Sequence, residues 1–332
     1  MTEAWIQFAL SAAAIAIAGI FLVKSSDTIG ELTKLGRLFA GSIFLAGATS
    51  LPELLVDVSA INNRMPDLAV GDLMGSSLMN LLILAVADLI HRSPNKIFSR
   101  ASAQHALSAA ISINMTILAC LSIFLGSRLP DYRLGEIGLG PVAIGVAYVL
   151  GLRLIYRSQG FGVAMPAPKG GSTRLALAKA FSSYAASALV IFIAAPFSTE
   201  AAGTIAERSG LGKTFIGTTL VAFTTSLPEV VSTVTAVRMG AFDLAVGNIF
   251  GSNSFNMILL IPLDFVHKGN LLGTVSQVHI LTGLTVILAT SVAVMGQLYQ
   301  AEKRTRFIEP DAFTVIAIVL GALAALYRLG AA

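Results

Sequence analysis

Charge is scarce in this sequence. Only 12% of its 332 residues are Asp, Glu, Lys or Arg, while 55% are hydrophobic and the mean hydropathy is +0.80. A soluble protein is about a quarter charged, so a soluble enzyme and a disordered chain are both excluded. Cysteine is almost missing as well. Cys120 stands alone in an apolar run, so no intrachain disulfide can form, and a secreted disulfide scaffold is excluded too. There is no Lys/Arg run interleaved with aromatics, so the formal net charge of +4 points to no nucleic-acid partner. There is also no phosphate-cradling glycine loop behind a strand and no large polar domain, which argues against ATP as a driving force. What is present is an all-α polytopic membrane protein whose surroundings are lipid and small ions.

A membrane-crossing helix needs about 20 mostly apolar residues. The pattern predicts about ten spans, near 4–24, 36–62, 67–91, 102–126, 136–157, 175–197, 211–238, 242–266, 272–297 and 309–328. The first stretch lacks a positive leader and is too apolar and long for a signal core, so it reads as a span. The longest polar connection, 158–174, is rich in Gly, Pro and Ser and reads as a linker. It separates a first half, 1–157, from a second, 175–332. Ten spans put both termini on one side. That side holds seven of the 22 Lys and Arg, namely Arg64, Arg128, Arg133, Arg208, Lys213, Lys268 and Arg328. The richer side is cytoplasmic by the positive-inside rule. The termini are therefore expected outside, across what would be a prokaryotic inner membrane.

The two halves repeat each other. Residues 49–80 read TSLPELLVDVSAINNRMPDLAVGDLMGSSLMN, and residues 225–256 read TSLPEVVSTVTAVRMGAFDLAVGNIFGSNSFN. The offset is 176 without a gap, and 15 of the 32 positions are identical. The likeness runs on from Asp88–Arg92 to Asp264–Lys268, so the repeats span 49–92 and 225–268. Each half has five spans, an odd number, so the two copies enter the membrane from opposite sides. Inverted repeats of this kind characterise secondary transporters, with substrate held at the midplane where the repeats meet.

The repeated residues are polar ones at mid-span. An intramembrane carboxylate is expensive and functional by default, and Glu53 and Glu229 occur symmetrically. Thr49 shares a helix face with Glu53, and Thr225 with Glu229. Pro52 and Pro228 lack an N–H, which leaves the carbonyls of Ala48 and Thr224 without helical partners. Ser76 with Asn80, and Ser252 with Asn256, are likewise four apart. Gly71, Gly75, Gly247 and Gly251 are expected to let helices pack closely. Every ligand offered is an oxygen, with no Cys or His, which argues against zinc or copper. Hard cations remain: Ca²⁺, Na⁺ or, less suited to a dry cage, Mg²⁺.

These paired TSLPE and GS-containing segments resemble the two alpha repeats of the sodium/calcium exchanger family, within the calcium/cation antiporters. The resemblance implies antiport of Ca²⁺ against Na⁺ by alternating access, with the first span of each half as the moving element and no enzymatic activity. It implies ligands at Thr49, Ser50, Glu53, Ser76 and Asn80, at Thr225, Ser226, Glu229, Ser252 and Asn256, and at the backbone carbonyls of Ala46 and Ala222. Asn256 stands where potassium-dependent members carry Asp, which argues against potassium co-transport. Proton-coupled members show Asn-Ala-x-Glu where this chain has Thr-Ser-Leu-Pro-Glu, which favours Na⁺ over H⁺, and Ca²⁺/H⁺ exchange is the alternative. A channel remains a competing class, whereas an intramembrane aspartyl protease would need Gly-x-Gly-Asp where this chain has Ala-Val-Gly-Asp. Asp57 and Asp72, matched by Thr233 and Asn248 in the second repeat, are expected to form an acidic outer vestibule or else to hydrogen-bond between helices.

Overall fold

Apolar segments in lipid must satisfy their own backbone, so helices are the available solution. A computed structural model describes residues 1–90, 103–158, 173–209, 223–299 and 310–330. The helices are α1 (Thr2–Leu32), α2 (Arg37–Asn62), α3 (Pro66–Ile90), α4 (Ala103–Gly126), α5 (Leu139–Ser158), α6 (Thr173–Arg208), α7 (Leu227–Arg238), α8 (Phe242–His267), α9 (Val278–Tyr299) and α10 (Pro310–Gly330). Eight of them are long and apolar enough to cross a membrane, and Pro310–Leu326 is a shorter apolar stretch. The architecture is thus that of an all-α polytopic membrane protein. The short hairpin Arg133–Leu134 with Ile137–Gly138 is the sheet structure among the described residues.

The first helix of each half is longer than its hydropathy suggested. At about 1.5 Å per residue, the 31 residues of α1 run to roughly 46 Å, against a hydrocarbon core of about 30 Å. α6 is longer still at 36 residues. The expected span at 211–238 is described only from residue 223 onward.

The repeats end their first helix in the same way. The Met65 and Ala241 amides, 176 residues apart, donate to the Ala60 and Ala236 carbonyls, each at 2.9 Å. This six-to-one bond closes a helix C-terminus and requires a left-handed residue just before the donor. Arg64 (φ 61°) and Gly240 (φ 72°) supply it. The tight turn then feeds α3 in one copy and α8 in the other.

The chain divides into two compact units, residues 1–52 with 152–251, and residues 53–151 with 252–332. Each unit therefore draws helices from both sequence halves. The boundaries fall at Pro52–Glu53 and Gly251–Ser252, inside the repeated motifs. In the first unit α1 lies along α6 and also packs on α7. Ile15, Ala194 and Ala195 form a small-residue core there, with Ala14 and Leu227 against it. In the second unit α9 packs on α3, α4 and α10, and α10 packs on α3.

Candidate functional site

The site begins with a break in regular winding. Gly41–Leu45 of α2 form a π-helical turn, a feature frequent at functional sites. α6 grips this turn through the Tyr184 hydroxyl, which donates to the Phe44 carbonyl at 2.9 Å. The rings of Phe181 and Tyr184 pack edge-on against Phe44. Directly after the turn come Ala46, Thr49 and Ser50, all fully buried, and the Thr49 hydroxyl donates to the Ala46 carbonyl at 3.1 Å.

The two prolines act differently. Pro52 sits inside a continuous helix, Ala46–Asn62. Pro228 instead opens a new helix, with the preceding Ser226 at its N-cap and Glu229 in its first turn. The chain is helical before Ser226 as well, so the second copy is interrupted where the first runs on. The N-terminal end of α7 carries the positive pole of its dipole, which steadies the Glu229 carboxylate. Glu229 is fully buried and lies against the first repeat's Ser50, with Ser50 Oγ 3.5 Å from Oε1. Thr225 and Ser226 are buried, and Ser226 Oγ has no protein hydrogen-bond partner.

In the second unit Glu53, Ser76, Asn80, Ser252 and Asn256 are all buried. Three amides tie α3 to α8 through their N–H ends. Asn80 donates to Asn253 Oδ1 at 3.0 Å, Asn253 to the Ser77 carbonyl at 3.3 Å, and Asn256 to the Leu73 carbonyl at 3.4 Å. Asn80 Oδ1 is left buried and without a partner. Spending amide donors on protein leaves oxygens to face a cation, the arrangement a hard ion requires. Ala222 lies outside the described residues. The described residues contain no group of three or more His, Cys, Asp or Glu that could hold a metal. The candidate ligands are therefore mainly hydroxyl and amide oxygens, with two carboxylates.

Asp57 is fully buried and Asp72 half-buried, and they lie close enough to interact electrostatically. Their counterparts form a direct bond, Asn248 Nδ2 to Thr233 Oγ1 at 3.1 Å.

Three polar features were not legible in the sequence. Asn253 aligns with Ser77, so no identity between the repeats marks it. His279 Nε2 lies 3.0 Å from Asp67 Oδ1, which also accepts from the Ser276 amide at 2.6 Å. Asp67 repeats as Asp243, but the position matching His279 is Ala103, so no repeat signal marked the histidine. Asp264 takes its partners from outside its own helix. It accepts from the Gly138 and Leu271 amides at 2.8 and 3.1 Å, and Arg133 lies 3.4 Å away.

With this geometry in hand, comparisons identify what the chain resembles. It matches the family described as sodium/calcium exchanger protein over residues 3–155 and 179–329. It is 28% identical to the inner membrane protein YrbG of Escherichia coli over 252 residues, 73% of each chain. It is 27% identical to the sodium/calcium exchanger MaX1 of Methanosarcina acetivorans over 270 residues, 74% of this chain and 77% of that one. The fold superposes on the sodium-calcium exchanger NCX_Mj soaked in Na⁺ with zero Ca²⁺. The TM-score is 0.74 at 19% identity, covering 97% of this chain and 98% of the other.

Proposed function

We propose that this chain, which belongs to the sodium/calcium exchanger protein family, carries Ca²⁺ across the membrane in exchange for Na⁺ by alternating access. The observation that carries this reading is a buried, oxygen-only ligand set repeated in both halves. Within it Ser226 Oγ and Asn80 Oδ1 are desolvated without protein partners. Buried polar atoms are normally satisfied, and a hard cation satisfies these.

Glu53 and Glu229 supply the charge that balances one Ca²⁺ and serve Na⁺ in turn. Thr49, Ser50, Ser76 and Asn80 from the first repeat, and Thr225, Ser226, Ser252 and Asn256 from the second, complete the shell with the carbonyls of Ala46 and Ala222. The chain is organised as two five-helix halves, 1–157 containing the repeat 49–92 and 175–332 containing the repeat 225–268, joined by 158–174. The chain needs no cofactor, and its partners are lipid and inorganic cations. It resides in a prokaryotic inner membrane with both termini outside, as the distribution of Lys and Arg requires.

The test is reconstitution into vesicles, followed by ⁴⁵Ca²⁺ uptake driven by an outward Na⁺ gradient or by an imposed pH gradient. Uptake that requires internal Na⁺ supports the assignment. Uptake driven by the pH gradient alone makes the protein a Ca²⁺/H⁺ exchanger, and uptake with neither makes it a channel.

A further inference from the structure

The acidic pair Asp57 and Asp72 breaks the symmetry of the repeats. At the matched positions Asn248 donates to Thr233 at 3.1 Å, and that neutral pair satisfies itself. Two ionised carboxylates cannot do this, because both only accept. Asp57 is 0% exposed and neither of its oxygens has a protein hydrogen-bond partner. Asp72 Oδ2 is also buried without one, and the two residues interact electrostatically. No Lys, Arg or His forms an ion pair with either among the described residues. Asp57 Oδ1 and Oδ2 and Asp72 Oδ2 are thus three buried carboxylate oxygens without a protein hydrogen bond, at the positions where the second repeat has a directly bonded pair. Buried charges of one sign are tolerated when a bound cation compensates them.

We propose that Asp57 and Asp72 form a second cation subsite that takes Ca²⁺, one helical turn beyond the ligands Glu53 and Ser76. Two negative charges call for a divalent ion. Carboxylate oxygens suit Ca²⁺, whereas Mg²⁺ dehydrates reluctantly and is poorly suited to oxygens withdrawn from water. Asp57 follows Glu53 by four residues and Asp72 precedes Ser76 by four, so both acids lie toward the same end of the first repeat. With the orientation proposed above, that end is the outer one. The subsite stages incoming Ca²⁺ before it reaches Glu53, and the second repeat, with Thr233 and Asn248, has no such stage. This inference rests on the Ca²⁺ transport proposed above, deepening it at the same entry route.

The experiment uses the full chain with Asp57→Thr and Asp72→Asn combined. The variant copies the pair that already packs in the second repeat, so it is expected to fold. Equilibrium ⁴⁵Ca²⁺ binding to purified protein should give two ions for the wild type and one for the variant. In right-side-out vesicles the variant should still exchange at saturating Ca²⁺, with the outer half-saturating concentration raised by about tenfold. A wild-type stoichiometry of one that the variant leaves unchanged, together with an unchanged outer concentration dependence, overturns the subsite while sparing the transport reading. So does one Ca²⁺ in both proteins with a Ca²⁺-linked proton release that only the wild type shows, since the pair then holds a proton. No Ca²⁺ bound by either protein, and no exchange, overturns the transport reading itself.

Discussion

At the scale of single residues, the proposed site depends on which polar atoms are left for an ion after the protein has used the rest. Glu53 and Glu229 are buried carboxylates, and Gln at either position keeps the shape while removing the charge. Each Glu→Gln variant is expected to lose more than about a hundredfold of ⁴⁵Ca²⁺ exchange, since even outer-shell changes around a metal reach that range. Thermal melting should be unchanged or raised, because a desolvated charge is gone. Wild-type exchange in either variant would refute its role as a ligand. Asn253 works indirectly, by holding the Asn80 amide at 3.0 Å. Asn253→Ala leaves that buried donor unpaired and should reduce stability by about 1–3 kcal/mol. It should also weaken Ca²⁺ binding, measured by calorimetry, because Asn80 Oδ1 loses its fixed direction.

At the scale of helices, close approach decides the packing. A side-chain carbon on Gly247 would lie 2.5 Å from the Leu38 carbonyl oxygen, and one on Gly41 would lie 2.5 Å from the Leu244 carbonyl oxygen. The start of α8 thus meets the start of α2 backbone to backbone, the contact small residues permit in membranes. Gly247→Val is expected to destabilise the protein by at least about 1–3 kcal/mol, read as a lower melting temperature or loss of folded protein in detergent. Folding at wild-type stability would show that the helices part easily. The same scale separates the two TSLPE copies. Pro52 passes through a helix that the preceding π turn and Tyr184 hold from the side. Pro228 has Ser226 before it as an N-cap and starts afresh. Identical local sequence permits either outcome, and neighbouring contacts choose between them.

At the scale of the whole molecule, α1 and α6 stand out as long, small-residue helices packed along each other. Few of their membrane-depth side chains can bind ions, which fits helices that move past a site rather than build it. α1 also touches α7, where Gly19 faces Val231. A carbon on Gly19 would lie 3.3 Å from Val231 Cβ, close to the roughly 3.5–4.5 Å of a disulfide. With Cys120 replaced by Ala, a Gly19→Cys and Val231→Cys pair should oxidise readily. If alternating access requires α1 to slide over α7, the oxidised protein should bind Ca²⁺ and fail to exchange it, with recovery on reduction. Full exchange in the oxidised form would rule out α1 as a mover.

Much of this protein was settled by its sequence alone. Scarce charge and long apolar runs require a membrane-crossing helical chain, because lipid offers backbone groups no alternative partner. A repeat at a constant offset of 176, with an odd number of spans per half, sets the inverted plan. It also marks Glu53 and Glu229, since the burial of a carboxylate in lipid needs a reason. Tertiary structure decided the rest. The repeat is symmetric as a sequence, but its copies meet different neighbours, so one proline sits within a continuous helix and the other follows a break. Asn253, His279 and Asp264 acquired partners from distant helices that no local pattern specifies. That Thr233 and Asn248 bond to each other, while the matching Asp57 is buried without a protein hydrogen bond, was likewise decided by packing between helices and not by spacing along one.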